Sequence, residues 1–143
     1  MYLALKESHN KLGMIVLFLL LVVVLTLIVR FLMKKPFDKT NRILALVGMI
    51  AFHLQFTIGI ILYFLSPLGS SNFSGEAMGN KISRFYIIEH PVGMLLALIF
   101  VTLGNKMAKK ASLSDKGRYS RVIIFFTLAL AIVYYFIPWF LWQ

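Results

Sequence analysis

Two histidines interrupt otherwise apolar sequence: His53, within Phe52-His53-Leu54-Gln55, and His90, within Glu89-His90-Pro91. In lipid a polar side chain must find a partner, so an ionisable group at membrane depth is a functional-site hypothesis by default. A neutral imidazole offers a nitrogen lone pair to a metal. Two imidazoles reaching inward from different helices at similar depth form the axial set of a b-type haem. The plainer account of each is a hydrogen bond between neighbouring helices. A third histidine, His9, lies near the N-terminus.

Depth decides which pair can share an iron. Depth is counted here from the span ends that face the basic loops, at 1.5 Å rise per residue. His53 lies about 15 Å in from Ile43, and His90 about 21 Å in from Gly104. The difference of about 6 Å is one that ordinary span tilt absorbs. His9 lies above roughly 30 Å from Arg30, about 10 Å or more beyond His90. The expected metal ligands are therefore His53 and His90. His9 is a lesser cofactor-binding candidate, near the haem edge or the outer mouth.

The neighbouring residues suit such a site. Gly48, Gly59 and Gly93 let a flat ligand or a second helix come close. Phe52, Phe56, Tyr63 and Phe85 are aromatic groups that can pack on a porphyrin. Gln55 and Gly59, four apart, share one helical face. Pro91 removes a helical hydrogen bond next to His90 and can re-aim its ring. Arg84, about 9 Å outward of His90 along a helix, suits a haem propionate. Lys81 and Tyr86 are weaker candidates for that task. On the plainer account, Arg84 and Lys81 are snorkelling anchors, the aromatics are ordinary packing, and Glu89 pairs with one of the two cations.

The elements that must position these residues follow from composition. The chain has 143 residues, 60% hydrophobic and 14% charged, more apolar surface than a soluble domain of this size can hide. Residues 12–33, 43–65, 81–105 and 122–142 form four apolar runs, each close to the ~20 residues that cross the hydrocarbon core. The expected fold is all-α: a polytopic membrane protein with a single four-transmembrane-helix bundle. Residues 1–11 are expected at the surface. The run 12–33 is longer than a signal-peptide core and lacks a small-x-small cleavage site, so it is read as a retained first span. Ser66-Pro67 stops the second span, and the Gly/Ser/Asn-rich residues 68–80 are expected to form an irregular loop. Asn72-Phe73-Ser74 is a glycosylation acceptor pattern of low specificity. Pro138-Trp139-Phe140-Leu141-Trp142 reads as an interfacial aromatic belt.

Charge sets the orientation. Of the fifteen basic residues, eleven lie in two loops: Arg30, Lys34, Lys35, Lys39 and Arg42, then Lys106, Lys109, Lys110, Lys116, Arg118 and Arg121. Lys6, Lys11, Lys81 and Arg84 lie on the opposite side. The positive-inside rule then puts the basic loops in the cytoplasm, with both termini and the long loop on the outer, periplasmic side. The same clustering accounts for the net charge of +10 without a nucleic-acid partner. Cysteine is absent, which excludes disulfides, thiolate metal sites, iron–sulfur clusters and covalent haem attachment.

Several spaced positions carry a family resemblance. They are His53-Leu-Gln-Phe-Thr-Ile-Gly59-Ile-Ile-Leu62-Tyr63-Phe-Leu-Ser66-Pro67, Arg84-Phe85, Glu89-His90-Pro91-Val-Gly-Met94, Thr102-Leu-Gly104 and Ile137-Pro138-Trp139. From about His9 to the C-terminus the chain resembles the small four-span cytochrome b-like membrane proteins of Bacteroidetes-type bacteria. The resemblance implies a b-type haem protein of the bacterial inner membrane, with His53 and His90 as carried-over ligands. His9 matches a histidine near the start of the family's first span. The flanking His9-Asn10-Lys11-Leu12-Gly13 departs from the Ser/Leu/Arg-Trp-like stretch expected there.

Three functions fit these residues. The first is a bis-His haem b electron-transfer module, a subunit of a larger respiratory or redox complex, with partner subunits and a quinone as associated molecules. His/His ligation fills both axial positions and leaves none for oxygen. Glu89, Tyr86 and His9 lie on one side for a quinone. The second is a cofactor-free accessory subunit in which His53, Gln55 and His90 are interhelical contacts. The third is a proton path along His53, Glu89 and His90, which has only one carboxylate to work with. No Gly-rich phosphate loop, carboxylate pair or nucleophile elbow is present, so the chain shows no catalytic site of its own.

Overall fold

Three of the four long helices start or stop at a recognisable cap. Asp38 accepts the Asn41 amide at 3.2 Å and opens α2 (Lys39–Leu65). Ser114 accepts from Gly117 and opens α6 (Asp115–Phe136). The first helix, α1 (Tyr2–Leu32), closes with paired bonds from Lys34 N–H to Phe31 O and from Lys35 N–H to Arg30 O, both 3.0 Å. This is a Schellman closure, and it puts Lys34 in the left-handed region at φ 55°. A lysine there costs about 1 kcal/mol more than glycine.

The computed structural model describes residues 1–110 and 112–139. Two short helices, α3 (Gly75–Gly79) and α4 (Lys81–Arg84), precede a π-turn at Phe85–Glu89 and then α5 (His90–Ala108). No strand occurs among the described residues. Helices α1, α2, α6 and the rod from Lys81 to Ala108 are long and apolar enough to cross a membrane, the architecture of a multi-pass membrane protein.

The boundaries differ from expectation in several places. Residues 1–11 are mostly exposed, as expected of a surface segment, but they are helical: α1 starts at Tyr2, and its first turns carry a Glu7–Lys11 ion pair of 2.6 Å at i, i+4. Residues 68–80 are not wholly irregular. They hold a 3₁₀ turn at Ser70–Asn72 and α3, which Ser74 caps by accepting from Ala77 N–H at 3.0 Å. The fourth helix begins at Asp115 rather than 122 and ends at Phe136. Beyond it, Trp139 donates its indole N–H to Tyr134 O at 2.8 Å. Phe140, Leu141 and Trp142, the rest of the expected aromatic belt, lie outside the described residues.

Around the bundle the neighbours run α1, α2, α5, α6 and back to α1, so α1 faces α5 across the centre. The core is built from residues three and four apart on each helix. Leu20, Val23, Val24 and Leu27 come from α1, Ala97 and Val101 from α5, and Val122, Phe126, Ala129 and Val133 from α6. The outward faces carry exposed aliphatic and aromatic side chains such as Ile15, Phe18, Leu25 and Ile124, as a lipid-facing surface requires.

The basic-loop end is tied by a buried polar knot. Asn41, fully buried, donates from Nδ2 to Tyr119 Oη at 2.7 Å and to Pro36 O at 3.1 Å. Tyr119, 1% exposed, also donates to Pro36 O at 3.3 Å. The Phe31 and Phe37 rings pack against Tyr119, with centres 5.6 and 5.0 Å away. Arg30 pairs with Asp38 at 2.6 Å. One knot thus joins the end of α1, the first basic loop, α2 and α6.

Candidate functional site

The long-loop end of the bundle brings together His9, Gln55 and His90. Helices α1 and α2 interlock there by reciprocal use of glycine. A Cβ at Gly59 would lie 3.0 Å from His9 Cε1, and a Cβ at Gly13 would lie 3.0 Å from Gln55 Nε2. Each polar side chain therefore crosses the other helix where a glycine leaves space. Gln55 Nε2 donates to His9 O at 2.7 Å and to His9 Nδ1 at 3.0 Å. Further outward, Tyr2 Oη meets Ser66 Oγ at 3.3 Å, which holds the top of α1 against the end of α2.

A local backbone device sets His90. Proline at 91 has no N–H, so Ile87 O loses the donor that a regular helix would supply four residues on. Tyr63, on α2, supplies one instead, donating to Ile87 O at 3.2 Å. The His90 amide bonds back to Phe85 O, five residues earlier, which completes the π-turn. π-turns of this kind concentrate at functional sites and re-aim the side chains that follow. The His90 ring then donates from Nδ1 to Phe136 O at 2.7 Å, at the end of α6. Gly93 makes that meeting possible, because a Cβ there would overlap the Phe136 ring. Tyr63→Phe removes the substitute donor. It should lower stability by about 1–3 kcal/mol, seen as a lower thermal midpoint in detergent, and a midpoint equal to wild type would contradict this account of the turn.

The result is two imidazoles from opposite helices, with ring centres 6.3 Å apart and planes at 81°. Both hydrogen bond through Nδ1, and neither Nε2 has a hydrogen-bond partner among the described residues. The Phe85 ring lies 5.8 Å from His90.

His53 and His90 are not brought together. His53 lies against Thr102, with Nε2 to Oγ1 at 3.4 Å. Thr102 is twelve residues beyond His90, or about 18 Å along the helix. No single iron spans that gap. His53 instead donates from Nδ1 to Met49 O of its own helix at 2.8 Å. Arg84 donates from Nε to Glu89 Oε1 at 2.8 Å and from Nη1 to Met78 O at 3.4 Å. The i, i+5 spacing of the Arg84–Glu89 pair is the one a π-turn stacks.

Sequence depth ranked His9 last, and the structure makes it the neighbour of His90. The usable signal was a repeated spacing: His9 with Gly13 on one helix, Gln55 with Gly59 on the next. Among the described residues, no group of three or more His, Cys, Asp or Glu is placed to hold a metal ion. A site built here would have two imidazoles to work with.

A bis-imidazole haem needs two such rings. Metal–nitrogen bonds of about 2 Å on either side of one ion put two ring centres roughly 6 Å apart, close to the observed 6.3 Å. His90 has the wiring of a ligand, with Nδ1–H held by a carbonyl and the Nε2 lone pair available. His9 accepts at Nδ1 from Gln55, so its neutral ring carries the proton on Nε2; to hold a metal at that atom it would have to give up the proton, the opposite wiring from His90. The residues fit the group in number and ring spacing, and His90, though not His9, is wired as a neutral ligand.

Compared with known proteins, the chain matches no family model, no curated protein and no solved structure.

Proposed function

We propose that this chain is a b-type haem-binding integral membrane protein that serves electron transfer as a subunit of a larger redox complex, with His9 and His90 as the axial pair. One observation carries the reading: two imidazoles from opposite helices of a membrane bundle, centres 6.3 Å apart, each hydrogen bonded through Nδ1 alone. A haem held there would supply reversible one-electron chemistry. The chain's own residues fix the rings: Gln55 orients His9, Phe136 O orients His90, and Tyr63 holds the turn that aims it. The resemblance to small four-span cytochrome b-like proteins supports a haem in a bundle of this kind, though it implies His53 rather than His9 as the partner of His90. The arrangement of basic loops supports a bacterial inner-membrane location with both termini and the histidine pair toward the periplasm. Partner subunits and a quinone belong to the proposal as electron donor and acceptor.

A second reading has its own support. As wired, His9 Nε2–H and the His90 Nε2 lone pair are complementary, donor to acceptor. That suits a cofactor-free accessory subunit whose histidines only join helices. A dithionite-reduced minus oxidised spectrum of the purified chain separates the two. A sharp b-type α-band supports haem, and a flat trace from well-folded protein excludes it.

A further inference from the structure

At the opposite end of the bundle a cavity of about 520 Å³ opens between the end of α1, the first basic loop and the start of α6. Lys34, Lys35 and Lys116 line it, with Asp115 as the one acid among its lining residues. None of the three lysines has an ion-pair partner among the described residues. Phe31 and Leu32 form an apolar wall. That wall continues up α1 as an exposed stripe of Leu25, Val29 and Leu32, 51%, 53% and 71% exposed, on one helical face.

We infer that this cavity binds the phosphodiester headgroup of an anionic phospholipid, with an acyl chain lying along the Leu25–Val29–Leu32 stripe. Three lysines against one carboxylate leave a net attraction for a phosphate. Basic pockets at the ends of transmembrane helices recognise lipid headgroups by this chemistry. The stripe favours a lipid over a free phosphate, because a soluble anion has no use for an apolar track. Lys34 occupies the left-handed closing position of α1, which glycine would fill with less strain, and it places an ammonium at the rim. The site is independent of the histidine pair, and its fate does not bear on the haem reading.

The test uses the full chain in detergent, titrated in mixed micelles with phosphatidylglycerol or phosphatidylcholine of identical acyl chains. Retained lipid is read by native mass spectrometry. Phosphatidylglycerol should be retained in preference and lost as ionic strength rises. Lys34→Gly should weaken its retention about fivefold, the equivalent of about 1 kcal/mol per lysine near the surface. The lipid-free thermal midpoint of that variant should hold or rise, because glycine suits the left-handed turn. The Lys35→Gln, Lys116→Gln double variant should weaken retention by roughly 25-fold on the same scale. Equal retention of both lipids, or unchanged retention in Lys34→Gly, overturns the proposal. So does full displacement of phosphatidylglycerol by an equal concentration of glycerol phosphate, which would assign the cavity to a soluble phosphate.

Discussion

His9→Ala and His90→Ala should each abolish the b-type α-band of the reduced minus oxidised spectrum, and His53→Ala should leave it. The expected loss is near complete, because on the proposed reading either change removes one of the two residues that would hold the haem. His53 meets Thr102 and Met49 O, about 18 Å along α5 from His90, and touches neither ring of the pair. Gln55→Leu should act less severely. It removes the group that orients His9 but not the ligand, and loss of such outer partners costs 10–100-fold in metal-site affinity. Far-UV circular dichroism of each variant separates loss of ligand from loss of fold. A band that survives His9→Ala but vanishes in His53→Ala would refute the assignment of the axial pair.

Asn41→Asp should be the most damaging single change at the other end of the bundle, at about 3–5 kcal/mol. It places a carboxylate in a fully buried position facing Pro36 O, where the native amide donates, and close in sequence to Asp38. Asn41→Leu removes the same donors without adding charge and should cost about 1–3 kcal/mol. Its cost is moderated because Asn41 Oδ1 is itself buried without a partner. Tyr119→Phe, combined with Asn41→Leu, should cost less than the sum of the two, because both changes break the Asn41–Tyr119 bond. Unfolding titrations with denaturing detergent measure all of these. An Asn41→Asp variant within ~0.5 kcal/mol of wild type would show that the knot carries no stability.

Four membrane-crossing helices were legible because the apolar runs are long and the breaks between them polar. Ser66-Pro67 marked the end of α2 correctly, at Leu65. The histidine pairing was not legible, for a reason of level. Depths were counted from span ends taken as flush, but α2 projects about two turns beyond the end of α5 at the basic-loop end. Met49 meets Asn105 and His53 meets Thr102, so Ala108 sits nearly level with residue 46, well inside the Lys39 start. That offset carries His53 down and away from His90. The Tyr2–Ser66 and His9–Gln55 contacts show the matching register of α1 on α2, which lifts Gly59 and His9 to the level of His90. Helix stagger depends on the whole set of packed side chains, and no single sequence position encodes it.

The position of Phe136 O beside His90 also has a consequence for biogenesis. His9 and His90 are 81 residues apart in sequence, and the carbonyl that orients His90 comes 46 residues later still. At synthesis rates of about 5–20 residues per second, the three parts emerge over roughly 6–25 seconds. Until the fourth helix is inserted and docked, both imidazoles are present but the His90 ring lacks the carbonyl that orients it. A chain truncated before α6 should therefore reach the membrane with both histidines in place but with the His90 ring free to turn.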